Sequence, residues 1–282
     1  MTISSRLITR LPMRGGIAVA SRVLWVSLVA VILGLFALSI PARLGQLVTL
    51  PMVEYVALTQ MGIPIENFAI YLLAFDIAIM AAFAITAVLI FWSKPDDWMV
   101  FHVSLALVSF AAAIIPSYEA LGAVAPSWNP VITLIHALGV GTAMLVLYIF
   151  PTGKFAPRWT LHLTAVGGGW MALWLIFATS GDSGSTVRVA QGILYTISSS
   201  PMEAARLLED IRIGALMVVM FLWFASGLYA QTYRYQRVST EGQRHQTRWV
   251  LFGLGFAFLG YFGYQRVVAI GGVLIKPGTG ES

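Results

Sequence analysis

Asp76 is the one carboxylate in the middle of a long apolar run, and the chemistry open to this chain starts there. An ionisable group in hydrocarbon is expensive, so by default it marks a functional site with a partner. His136 occupies another apolar run. At about 1.5 Å of helical rise per residue the two lie about 13 and about 9 Å below the same surface, within side-chain reach of each other. Asp76 and His136 are therefore the candidate ligand-binding or sensing residues; the alternative is a protonated Asp76 bonded to a neighbouring backbone or hydroxyl group. His102 and His162 both fall one turn inside the opposite surface. Two imidazoles at one depth could hold haem or a metal, but such sites want more ligands or clearer spacing. Gly181-Asp-Ser-Gly184 copies the G-x-S-G of intramembrane serine proteases, yet it lies in a polar loop where those enzymes bury their serine, so a flexible loop is the simpler reading. Gly139-x-Gly141 and Gly167-Gly-Gly169 sit inside apolar runs and read as close helix packing, not as a phosphate cradle. The chain has no cysteine, which excludes disulfides, thiolate catalysis and Cys-ligated metal. No catalytic residue, cofactor or metal is expected.

The elements that must position these residues are helices in lipid. Hydrophobic residues make up 59% of the 282 and charged ones 10%, against about 45–50% and about 25% in soluble domains. About 20 apolar residues cover the hydrocarbon thickness as a helix, and lipid offers no partner to a free backbone group. Seven spans are expected, at residues 23–40, 67–92, 99–115, 130–150, 159–179, 212–231 and 249–270, giving an all-α, polytopic membrane bundle. Lys and Arg collect on cytoplasmic loops. Eleven of the 17 fall on the N-terminal tail and alternate loops, so the N-terminus is expected inside and Ser282 outside. This divides the chain into a basic cytoplasmic tail at 1–22, a seven-helix sensor-like domain at 23–270 and a short extracytoplasmic tail at 271–282. The first span reads as an uncleaved signal anchor, because its apolar run exceeds that of a signal peptide and further spans follow. The net charge of +5 reads as topology and contact with anionic lipid; no basic-aromatic platform for nucleic acid is present. Two outer segments, 41–66 and 180–211, are long enough to form a small cap.

Two inner strings carry the most information. In Phe150-Pro-Thr-Gly-Lys-Phe-Ala-Pro-Arg-Trp159, Pro151 stops the fourth span and Gly153 completes a turn. Pro157 starts the next helix, while Lys154, Arg158 and Trp159 meet the inner headgroups. This is a tight cytoplasmic hairpin. In Tyr233-Arg-Tyr-Gln-Arg-Val-Ser-Thr-Glu-Gly-Gln-Arg-His-Gln-Thr-Arg-Trp249, Thr240 to Gln243 fits a capping box, so a helix is expected to run from there into the seventh span. Arg244 and Arg248 share one face of it. Together with Arg234 and Arg237 they form a basic elbow, either a solvated anchor or a cytoplasmic relay.

These strings, with Ile-Phe-Trp-Ser-Lys-Pro-Asp-Asp-Trp98 before them, resemble the multi-pass N-terminal membrane sensor region of bacterial sensor histidine kinases, the competence-type quorum-sensing kinases and their relatives. The similarity covers residues 23–270 and rests on loop patterns without catalytic residues. In that family an eighth span leads to dimerisation and ATP-binding domains. This chain departs from the pattern after the seventh span, with no phosphoacceptor His helix and no Gly-rich ATP lid, so kinase activity does not carry over. The resemblance implies a non-enzymatic signal-reception module in the bacterial cell membrane, belonging to a two-component system. Its partners would be the bilayer, a kinase or response regulator and a second copy of itself, with no nucleic acid. A small-solute or proton-coupled transporter built around Asp76 is the rival reading, and an orphan membrane scaffold the third.

Overall fold

The computed structural model describes residues 15–49, 52–151, 153–179 and 201–237. All regular structure among them is helical. The first helix, α1 (Gly16–Val48), begins inside the expected N-terminal tail and runs past the expected first span at both ends. Pro41 was expected to end that span, but the helix continues through it, losing only the bond its missing N–H would have made to the Ala37 carbonyl. Burial of Arg43 and Leu47 against the bundle holds the extra two turns in place.

A short helix, α2 (Met52–Gln60), follows. It closes on Gly62, whose φ of 69° is open to glycine without strain. Bonds from Gly62 N to the Thr59 carbonyl and from Ile63 N to the Leu58 carbonyl make a Schellman cap. The next helix is α3 (Ile65–Ser93). Asp97 caps α4 (Trp98–Ile114) by accepting from Met99 N at 2.8 Å. The expected third span then breaks. Ile115, forced out of the helical region by the proline after it, has a ψ of 124°. The chain resumes as α5 (Ser117–Val124), bent by 60° from α4. A 3₁₀ turn (Pro126–Trp128) leads into α6 (Asn129–Ile149), and the hairpin connects to α7 (Trp159–Thr179). The last described helix is α8 (Pro201–Arg237).

Among the described residues, three helical stretches are long and apolar enough to cross a membrane: Gly16–Val48, Ile65–Ser93 and Pro126–Ile149. The bent α4–α5 pair makes a fourth if it is one span. The expected fifth and sixth spans fall on α7 and α8, and the expected seventh lies outside the described residues.

Helix α4 is the hub, packed on α6, α3 and α1, while α6 also meets α7 and α8. Small residues set the α4–α6 spacing. Val108, Ala111 and Ala112 are wholly buried, and a Cβ on Gly139 would run into the Ser109 backbone carbonyl. Ser109 and Thr142 hydroxyls meet at 3.2 Å across that contact.

The two ends of the bundle can be told apart. At one end Arg22 pairs with Asp96 at 2.7 Å, Trp25 stacks on Phe91 at 4.1 Å and donates to Ser104 at 2.9 Å, and Met99 packs against Tyr148 and Ile149. Gly227 of α8 lies against Leu147. The start of α1, the α3–α4 link, the α6–α7 hairpin and the end of α8 therefore share this end.

Candidate functional site

Asp76 projects from α3 into the packed interior and is 6% exposed. It is paired. Arg43 Nε donates to Asp76 Oδ2 at 3.1 Å, and the Ser117 hydroxyl donates to the same oxygen at 3.0 Å. Arg43 Nη1 in turn donates to Gln46 Oε1 at 3.0 Å. Three elements converge here: the extension of α1 beyond Pro41, the middle of α3, and the first residue of α5 where the α4–α5 pair breaks. The charges balance, so no isolated carboxylate is left in an apolar surrounding. The break also turns the first turn of α5 toward Asp76, where unbonded backbone N–H groups favour a negative charge.

His136 reaches the same break from α6. Its ring stands edge-on to Tyr118 at 6.2 Å. Nε2 is buried without a partner among the described residues. Tyr118 itself donates to the Ile32 carbonyl at 2.9 Å and is wholly buried. Asp76 and His136 thus do not bond to each other. They reach the start of α5 from α3 and from α6, at the neighbouring residues Ser117 and Tyr118.

Reasoning from sequence missed Arg43, Gln46 and Ser117. By apolar run length Arg43 falls in the outer segment 41–66 instead of on a helix. The signal that could have found it is the i, i+3 spacing of Arg43 and Gln46, which puts both on one face if the helix continues. Ser117 follows a proline inside an apolar run, a mark of a break that frees backbone groups for a site.

The second constellation is at the other end. Arg234 is wholly buried. Its Nη1 donates to the Phe150 carbonyl at 2.6 Å and its Nη2 to the Lys154 carbonyl at 2.7 Å. One turn earlier, Gln231 Nε2 donates to the Leu147 and Phe150 carbonyls at 2.6 and 3.1 Å. Two of these carbonyls close the last turn of α6, where the helix has no N–H left to offer and carries partial negative charge. Burial lowers the Arg234 guanidinium to about 10, which leaves it charged at neutral pH. Tyr148 and Ser226 hydroxyls meet at 2.6 Å two turns further along the same seam. Pro151, Gly153, Lys154, Pro157, Arg158 and Trp159 form the expected hairpin, and Gly153 takes the positive φ of 73° that its turn needs. Arg237 is exposed at the end of α8; Thr240, Gln243, Arg244 and Arg248 lie outside the described residues, as does Gly181 to Gly184.

His102 bonds its own helix, Nδ1 to the Trp98 carbonyl at 3.0 Å, and its ring lies tilted against that of Trp98 at 4.0 Å. His162 lies on α7. The described residues hold no group of three or more His, Asp or Glu placed to share a metal. A cavity of about 260 Å³ lies between α2 and the start of α3, lined by Tyr55, Leu58, Ile63 and Ile65 among others, away from Asp76.

Comparison with known protein families, with curated proteins and with solved structures finds no match.

Proposed function

We propose that the chain is a membrane-embedded signal-reception module without catalytic activity of its own, in the bacterial cell membrane with its N-terminus cytoplasmic. The observation that carries this reading is the Arg43–Asp76–Ser117 cluster set at the break between α4 and α5. A buried ion pair held by a further hydrogen bond is stable in one arrangement and costly when one partner is pulled away, so it behaves as a two-position element. A stimulus that moves α5 must break the Ser117 bond to Asp76. The same motion reaches α6 through its packing on α4, and α6 is tied to the end of α8 by Gln231 and Arg234. Beyond α8 lies the basic elbow, the expected point of contact with a kinase or response regulator.

A transporter centred on Asp76 is the second reading. The broken span favours it, since interrupted helices with charged residues at the break are a common way to build a solute or ion site in a membrane.

Reconstitution separates the two. Purified protein in liposomes should show no substrate-dependent flux, and affinity-tagged protein should co-purify with a histidine kinase or response regulator. Asp76→Asn should weaken that association when the two proteins are compared at equal membrane abundance. Flux abolished by Asp76→Asn, with no such partner recovered, would replace the sensor by the transporter.

A further inference from the structure

Two wholly buried polar side chains of α8 each keep one atom without a partner among the described residues: Gln231 Oε1, an acceptor, and Arg234 Nε, a donor. They stand one turn apart on one face of the helix. Both reach the Phe150 carbonyl, Gln231 through Nε2 at 3.1 Å and Arg234 through Nη1 at 2.6 Å. Chemistry fixes which way the amide lies. Nε2 donates to the carbonyls of Leu147 and Phe150, and a flipped amide would set an oxygen against both. The Leu147 carbonyl needs that donor, because the residue four ahead is Pro151, which has no N–H to give it. The guanidinium is equally committed, with Nη1 on Phe150 and Nη2 on the Lys154 carbonyl. A buried donor or acceptor left unbonded is costly, so something must meet the two remaining atoms. An anion would suit Arg234 but be repelled by Gln231 Oε1 and the carbonyls. A cation would suit those oxygens but be repelled by the guanidinium. What fits is a neutral group that both accepts and donates, and between two side chains wholly shielded from solvent it has to be small. The depth agrees, since Arg234 lies one turn past the expected inner end of the sixth span, where water is close at hand.

We infer that the seam of α6 and α8 binds a buried water molecule, which accepts from Arg234 Nε and donates to Gln231 Oε1. Its other proton goes to the second lone pair of the Leu147 carbonyl, giving the three bonds usual for a buried water. A water exchanges partners more readily than a fixed side chain does. The joint between the hairpin and α8 therefore yields to a small displacement of α8 without stripping a buried donor bare. The inference rests on this seam alone and on nothing in the signalling role.

The test is radiolytic hydroxyl labelling of the full chain in lipid nanodiscs, read residue by residue by mass spectrometry, because radicals made from a bound water mark the side chains beside it. Leu147, Leu35 and Leu105 are 3%, 4% and 5% exposed, so burial alone predicts equal labelling of the three. Leu147 should instead be labelled several times faster than the other two. After mixing with heavy-oxygen water, the label at Leu147 should take up the heavy isotope more slowly than the label at the exposed Trp159. Arg234→Lys keeps the charge but lacks the Nε donor, and should bring Leu147 down to the rate of Leu35; Gln231→Met should do the same. Ser226→Ala, which removes the hydroxyl contact with Tyr148 further along the same seam, should leave Leu147 fast. Equal labelling of the three leucines in the unaltered chain would overturn the inference, and that comparison needs no variant to fold. Isotope uptake at Leu147 as fast as at Trp159 would mean bulk solvent in the seam and would overturn it too, as would fast labelling that survives both Arg234→Lys and Gln231→Met. Each of these outcomes leaves signal reception untouched.

Discussion

At Asp76 the decisive quantity is the cost of a lone buried charge. Removing one member of a buried ion pair costs about 3–5 kcal/mol, whereas replacing both by apolar groups of similar size is close to neutral. Arg43→Met and Asp76→Leu should therefore each lower the thermal midpoint of the detergent-purified protein substantially. The double variant should recover most of the loss. Ser117→Ala removes one hydrogen bond to a charged oxygen and should cost about 1.5–3 kcal/mol. A double variant as unstable as the sum of the singles would show that Arg43 and Asp76 do not depend on each other. The expectation that Asp76 is either neutral or paired came from its place in an apolar run. That the partner is Arg43, with His136 against Tyr118 instead, came from the packing of α1 and α5.

Between helices, the sign of a glycine substitution separates contact from open surface. In a helix interior Gly→Ala is worth about 1 kcal/mol in favour of alanine. Gly168 has nothing near its missing Cβ, so Gly168→Ala should be neutral or stabilising. Gly139→Ala instead drives a methyl into the Ser109 backbone, which cannot move aside as a side chain would, and the overpacking penalty of about 1–3 kcal/mol should win. Thermal unfolding of the pair of variants checks this; stabilisation at both positions would dissolve the α4–α6 contact. The same scale governs the seam of α6 and α8. Arg234→Met removes two charge-assisted bonds to carbonyls at the end of α6 and should cost several kcal/mol, with Arg234→Lys only partly restoring them because an ammonium lacks the fork. The distance between spin labels on cysteines introduced in the hairpin and at the end of α8 should lengthen in Arg234→Met.

For the whole molecule, the gathering of four chain segments at one end makes a topology prediction that the absence of cysteine makes easy to check. Single substitutions Asp96→Cys and Arg237→Cys should be labelled from the cytoplasmic side and Gln60→Cys from the other. Labelling of Asp96→Cys and Gln60→Cys from one side would overturn the arrangement. Much of this was legible in the residues alone. Apolar run length made the helices, since lipid leaves a backbone no other way to satisfy its hydrogen bonds, and the basic loops separated the two ends because charge resists burial. The hairpin at residues 150–159 was equally legible, because Pro151, Gly153 and Pro157 act on their own dihedral angles. The tertiary structure decided what depends on distant neighbours. Only packing could carry α1 through Pro41 far enough to bury Arg43, and only the break at Pro116 could aim Ser117 at Asp76. Only the approach of α8 to α6 could show that Arg234, which reads as one more surface cation, spends its charge on carbonyls inside the fold, because a hydrogen bond between residues 84 positions apart leaves no periodic trace in the chain.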